Sequence, residues 1–193
     1  MPNNSEFEDM KKILVLIFCL CTLFAVSAQQ IDKQEEDGSR WIISNGENLY
    51  STWSTGAGFD LRLNVFPNGD KFWRFCVTTD EGKGTIEKGR VILIKFEDGS
   101  VMELKNCNEI GPADYQYQVT EYGTNYYLNP QYPITEEELQ KLLTDKVTKV
   151  RIEHDAGHFD REINSKKFNK RINTLYKQVK DRLSVSNGVH DGF

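Results

Sequence analysis

Between Arg40 and Tyr127 the chain is written in short apolar runs separated by turn residues, and this punctuation restricts it to antiparallel β-structure. Leu61-Arg62-Leu63-Asn64-Val65 alternates apolar and polar residues with period two, as a half-buried strand does. Pro67-Asn68-Gly69-Asp70 follows, and Asn-Gly is the strongest short hairpin signal. Lys71 to Thr79 then places Trp73, Phe75 and Val77 on one face. Val91, Ile92, Leu93, Ile94 and Phe96 form a nearly continuous apolar run, which predicts a central strand covered on both sides. Glu97-Asp98-Gly99-Ser100 turns the chain, and Val101 to Asn106 returns with Met102 and Leu104 inward. Tyr115–Val119 and Tyr126–Leu128 are candidates for further strands.

The period changes after residue 133. Thr135-Glu136-Glu137-Glu138 is a capping box: the Thr hydroxyl accepts from the Glu138 backbone N–H and the Glu138 carboxylate reaches back. Leu139, Leu142 and Leu143 give the short helix, about 135–144, its buried stripe. Lys146 to Glu153 reads as another strand, with Val150 and Ile152 inward. Phe168, Ile172, Leu175, Tyr176, Val179 and Leu183 recur at helical spacing and predict a long amphipathic helix over about 165–183. The expected class is α+β: an antiparallel sheet or sandwich-like core with a short helix and a long C-terminal helix packed on it.

The front of the chain is an export signal. Lys11 and Lys12 precede an apolar run from Ile13 to Ala25, and Val26-Ser27-Ala28 is a small-residue cleavage site. A membrane-spanning helix needs about 20 apolar residues, so this run is short for an anchor, and no transmembrane anchor is expected after cleavage. Glu6, Glu8 and Asp9 do not suit a positive leader, which makes Met10 the better start. The expected organisation is a signal over 1–28, a flexible tether over 29–39, one domain over 40–183 and a frayed tail over 184–193. Removing residues 1–28 takes two lysines and three acids with it and leaves a net charge of −4. That balance excludes a general nucleic-acid binder, which needs a basic footprint.

Cys76 and Cys107 remain after cleavage, in a compartment that permits a disulfide. Closing that loop would contribute roughly 3–4 kcal/mol in the chain-entropy model. In a simple meander, however, strand Arg90–Phe96 lies between the two cysteines, about 9.6 Å apart across two strand spacings. A disulfide spans Cα atoms within about 6.8 Å. A bridge therefore needs a non-meander strand order or a second sheet, and two separate thiols are the other outcome.

Residues of the types that carry chemistry are few. His154, Asp155, His158 and Asp160 are the one group of metal-ligand types at close spacing, in a segment that follows a strand. Their spacing matches no standard motif, and the bland reading is a polar, glycine-containing loop. There is no G-x-S-x-G elbow and no phosphate loop. Seven basic residues between Lys166 and Arg182 give the last helix a charge of +6, read chiefly as a solvated face and secondarily as a site for an anionic partner. Tyr115, Tyr117, Tyr122, Tyr126, Tyr127 and Tyr132, with Trp41, Trp53 and Trp73, are either core rings or a sugar-stacking or protein-anchoring set.

Arg90 to Leu104 forms a hairpin, and Tyr132 to Leu143 followed by Val147 to Glu153 forms its continuation. Together they resemble small exported proteins of unknown function from Gram-negative, Bacteroidetes-type bacteria, over roughly Gly89 to Leu183. The resemblance implies an exported α+β scaffold, whether periplasmic, surface-associated or secreted. It carries no activity, cofactor or catalytic residue with it. The expectation is a non-enzymatic binding or envelope-associated domain with a protein or glycan partner and no cofactor. A glycan-binding module using Tyr and Trp, or a metal-dependent hydrolase centred on His154–Asp160, are the alternatives.

Overall fold

A computed structural model describes residues 31–51, 56–80, 85–108, 116–120 and 123–185. Their secondary structure is α+β, with antiparallel sheets and two helices. The strands are β1 (Ile31–Gln34), β2 (Arg40–Ile43), β3 (Glu47–Ser51), β4 (Gly56–Val65), β5 (Lys71–Thr79), β6 (Val91–Phe96), β7 (Val101–Lys105), β8 (Gln116–Thr120), β9 (Gly123–Tyr127) and β10 (Gln131–Ile134). Helix α1 (Glu136–Thr144), β11 (Val147–His154), β12 (Gly157–Glu162) and helix α2 (Ser165–Val185) complete the order.

The larger sheet runs β1-β2-β4-β5-β10, with every neighbouring pair antiparallel. Strand β4 is ten residues long and serves two partners along one edge. Strand β2 pairs with its Arg62–Val65 part and β3 with its Gly56–Phe59 part. The smaller sheet runs β12-β11-β6-β7, and β8 and β9 form a separate hairpin.

Period two sorts each strand into a buried and an outer face. Ala57, Phe59, Leu61 and Leu63 of β4 lie opposite Thr79, Val77, Phe75 and Trp73 of β5. Tyr132 and Ile134 extend the same face across β10, and Ile42 extends it across β2. In the smaller sheet Ile92 and Ile94 are flanked by Leu104 and Met102 on one side and by Ile152 and Val150 on the other. All of these except Thr79 join Leu139, Leu142 and Leu143 of α1 and Phe168, Ile172, Leu175 and Val179 of α2 in one buried cluster. Burying each such side chain contributes roughly 1.5–3 kcal/mol. Against the larger sheet, Phe168 stacks on Phe59 at 5.3 Å between ring centroids.

Helix α1 starts where its capping box predicts. Thr135 Oγ1 accepts from the Glu138 backbone N–H at 3.2 Å, and the Thr135 N–H donates to the Glu138 carboxylate at 2.9 Å. Polar side chains then fasten α2. Asn173 Nδ2 donates to the Leu143 carbonyl at 3.0 Å, Asn169 Nδ2 to the Asp145 carbonyl at 3.0 Å, and Arg171 Nη1 to the Asn48 carbonyl at 2.6 Å.

The two sheets meet where β7 ends. The Cys107 N–H donates to the Gln131 carbonyl at 2.9 Å, and the Gln131 N–H is shared between the side-chain carbonyls of Asn106 and Asn108 at 3.1 and 2.9 Å. Asn106 is buried for this purpose.

Several expectations change in detail. The Val91–Phe96 strand is central in its sheet but covered on one face only: Ile92, Ile94 and Phe96 are buried while Val91 and Leu93 are half-buried and Lys95 is exposed. Within the stretch read as a tether, Ile31–Gln34 is an edge strand, held by the β2 ladder and by the Asp32–Arg40 ion pair at 2.6 Å. Helix α2 runs two residues past Leu183, to Val185. Residues 1–28, read above as an export signal, and the tail from residue 186 lie outside the described residues.

Candidate functional site

His154, Asp155 and His158 sit at the tip of the β11–β12 hairpin and Asp160 lies further along β12 opposite Arg151, so the segment is a strand pair rather than a loop. In the register His154 faces Gly157, and His158 faces Glu153 one position along. Directly opposed residues share a face and successive residues alternate, so the two imidazoles point to opposite sides of the sheet. His154 turns inward onto Phe159, with ring centroids 5.8 Å apart, and its buried Nδ1 has no hydrogen-bond partner. The carboxylates are already taken. Asp155 receives Arg90 Nε at 3.1 Å. Asp160 receives Arg151 Nε and Nη2 at 2.6 and 2.9 Å, and Lys149 Nζ at 2.9 Å. Arg151 first, and Lys149 second, hold the Asp160 carboxyl well below the usual carboxylate range. Among the described residues no three His, Cys, Asp or Glu side chains converge to hold a metal ion.

Cys76 and Cys107 are free thiols, the first buried and the second half-buried. The smaller sheet draws β6 away from β5, so the strand between the cysteines is β10 instead. Gln131 lies opposite Cys76 in the β10–β5 ladder and accepts the Cys107 N–H on its other side. Burial pushes the Cys76 thiol strongly up, with Asp60 adding to the shift, so its thiolate is not a nucleophile near neutral pH.

The aromatic residues divide. Tyr132 and Trp73 are core rings, and Tyr127 is half-buried. Tyr117 and Tyr126 face each other in the β8–β9 ladder. Trp53, Tyr115 and Tyr122 lie outside the described residues. On α2, Lys166, Lys167, Lys170, Lys177 and Lys180 are exposed, opposite the buried Phe168–Val179 stripe. Two shallow clefts flank β3. One of about 360 Å³ is lined by Gly46, Asn48, Asp60 and Thr78 among others; one of about 280 Å³ is lined by Tyr50, Glu162, Lys167 and Arg171 among others.

The outer face of the larger sheet is different. Its register forms two cross-strand rows. The first reads Lys33, Trp41, Asn64, Phe72, and the second reads Ile31, Ile43, Arg62, Arg74, Pro133. Phe66 continues the outward alternation one step beyond Asn64, where its N–H donates to the Asp70 carbonyl and prolongs the hairpin. Ile31, Phe66 and Phe72 are 48%, 40% and 37% exposed, and with Val101 and Val185 they are the large apolar side chains left in water among the described residues. Three of those five therefore fall on one face. Arg62 is neutralised by Asp60 at 2.8 Å. Arg74 meets no carboxylate among the described residues; its guanidinium carbon lies 4.6 Å from the Trp41 ring centroid and 5.0 Å from that of Phe72. Arg40, Arg62, Arg90, Arg151 and Arg171, by contrast, each meet an acidic side chain. The Arg74 Nε and the Asn64 Oδ1 are both buried without a partner.

Sequence reasoning passed over this face. It assigned Trp73, Phe75 and Val77 to the core, and the same alternation sends Phe72, Arg74 and Cys76 the other way. An exposed Phe beside an Arg on the outward register was the available signal.

Fold and geometry thus define an α+β domain of two antiparallel sheets with a mixed aromatic and cationic patch on the larger one. No family model, no curated protein and no solved structure matches the chain.

Proposed function

We propose that this is an exported, non-enzymatic domain that binds a macromolecular partner through the outer face of its larger sheet. The observation that carries the reading is the stacking of Arg74, which meets no carboxylate among the described residues, on Trp41 and Phe72, with Phe66 and Ile31 exposed on the same face of the sheet. Apolar side chains scattered singly over a surface need no explanation, whereas a contiguous patch rimmed by polar residues marks an interaction site. Aromatic and arginine side chains are also the groups that anchor interfaces. Export is supported by Lys11-Lys12, the Ile13–Ala25 run and Val26-Ser27-Ala28. Among the described residues no helix is long and apolar enough to cross a membrane.

The test is retention. Purified chain starting at Gln29 is incubated with polysaccharide and protein fractions from the envelope of the producing cells, beside the double variant Phe66→Ser/Phe72→Ser. The wild type is retained and the variant released, with equal melting temperatures. Equal retention of both overturns the reading. N-terminal sequencing of protein recovered from cells should begin at Gln29, and an intact leader removes the export half.

A further inference from the structure

Resting on that reading of the outer face, we propose that Trp41, Asn64, Phe72 and Arg74 form a binding site for a uronate residue of an acidic polysaccharide. Arg74 supplies the anion recognition. A guanidinium is a planar fork suited to bidentate contact with a carboxylate, and it stacks well on aromatic faces. Here it is already layered against Trp41 and Phe72, at 4.6 and 5.0 Å, so little side-chain freedom is lost when a ligand arrives. A single unpaired cation matches a monoanion, because the neighbouring Arg62 is neutralised by Asp60.

Asn64 adds a second requirement. It sits in the register between Trp41 and Phe72, is 5% exposed, and its Oδ1 has no donor. An acceptor left without a donor is costly, and a carboxylate cannot supply one. A ligand that carries a hydroxyl or N–H beside its acid group supplies that donor. Phe72, 37% exposed and 5.0 Å from the Arg74 guanidinium carbon, offers an apolar ring beside the fork, and Phe66, 40% exposed, lies on the same face. A ring that bears a carboxylate, adjacent hydroxyls and an apolar C–H face meets all three demands.

The location separates a glycan from a peptide carboxylate. Peptides are commonly bound by adding a strand to a free sheet edge or by filling a groove. This patch lies on the middle of a face, where β4 is paired by β2 and β5 on its two sides. Its backbone groups are engaged in those ladders, and the two clefts beside β3 lie apart from Trp41, Phe72 and Arg74. Only side chains are offered to a ligand there.

Calorimetric titration of the mature chain with oligogalacturonate tests the site, beside a carboxyl-reduced oligomer of equal length and an N-acetylated peptide ending in a free carboxylate. Oligogalacturonate binds, and Arg74→Lys, which keeps the charge and loses the fork, weakens it at least about tenfold. The Trp41 indole N–H resonance of the wild type moves on binding, a readout that needs no variant. Four results overturn the proposal: no binding of oligogalacturonate, equal affinity in Arg74→Lys, equal affinity for the reduced oligomer, or binding of the peptide in its place. If these occur while the Phe66→Ser/Phe72→Ser variant still loses envelope retention, the ligand class is wrong and the binding face stands.

Discussion

Replacing Phe168 with alanine should remove a large share of the stability of the fold. Phe168 lies in the first turns of α2, is 2% exposed, and its ring stacks on Phe59 at 5.3 Å with an interplanar angle of 23°. Phe59 in turn meets Phe75 at 5.5 Å, so the ring ties the helix to two central strands. Truncating a buried Phe to Ala costs about 3–5 kcal/mol. Against a total of about 5–15 kcal/mol that is roughly a fifth or more of the margin. In a domain of this size each kcal/mol moves the midpoint by roughly 2–4 °C, so the melting temperature should fall by about 6–20 °C. The assay is urea unfolding of the mature chain followed by tryptophan fluorescence, comparing midpoints at constant m. A double-mutant cycle of Phe59→Leu and Phe168→Leu isolates the ring–ring contribution, expected at about 0.5–1.5 kcal/mol. A loss below about 0.5 kcal/mol for Phe168→Ala is a surface value. It would refute the packing of α2 on the larger sheet, and an additive cycle would refute the stack.

Thr135→Ala removes the hydroxyl that caps α1 and should destabilise the protein by about 1 kcal/mol in the same urea assay, with Thr135→Ser close to wild type. Asp160, held by Arg151 and Lys149, has a folded pKa below its unfolded value of about 3.9, so its contribution is complete above that pH and lost as the pH falls further. The melting temperature of the wild type should exceed that of Asp160→Asn at neutral pH, with the gap closing below about pH 4; a gap independent of pH would sink the ion-pair assignment. Without reductant, the native mature chain should expose Cys107 to a thiol reagent while Cys76 reacts only on unfolding, when both thiols titrate. Absence of thiol after unfolding would mean a bridge.

What the sequence discloses follows how local each cause is. The capping box at Thr135 needs only four residues, and α2 needs only its own stripe, so both were legible. So were β4, β5, β6 and β7, whose alternation and turns lie within single hairpins. Strand β10 was not, because Pro133 argues against a strand. It survives at the end of the sheet by pairing β5 on one side and accepting Cys107 on the other. Strand β12, Gly-His-Phe-Asp-Arg-Glu, has no apolar alternation and is held by its ladder and by the Asp160 ion pairs. The division into two sheets is a long-range choice that no window along the chain reports, and it replaced β6 with β10 as the separator of the cysteines. The outer-face patch needed the register of three strands before Trp41, Phe72 and Arg74 became neighbours.

Strand β10 also imposes an order of events on the ribosome. Its partner edge on β5 is complete once Thr79 has emerged, yet the segment that closes it waits until everything from Asp80 to Pro130 has been synthesised. Over that interval the nascent chain carries an open row of amides and carbonyls beside Phe75 and Val77. Such a border invites adhesion to another chain. A leader that keeps a polypeptide unfolded until transport is finished would defer that hazard, so the proposal that residues 1–28 are such a leader predicts that the chain made without them is the one that clumps.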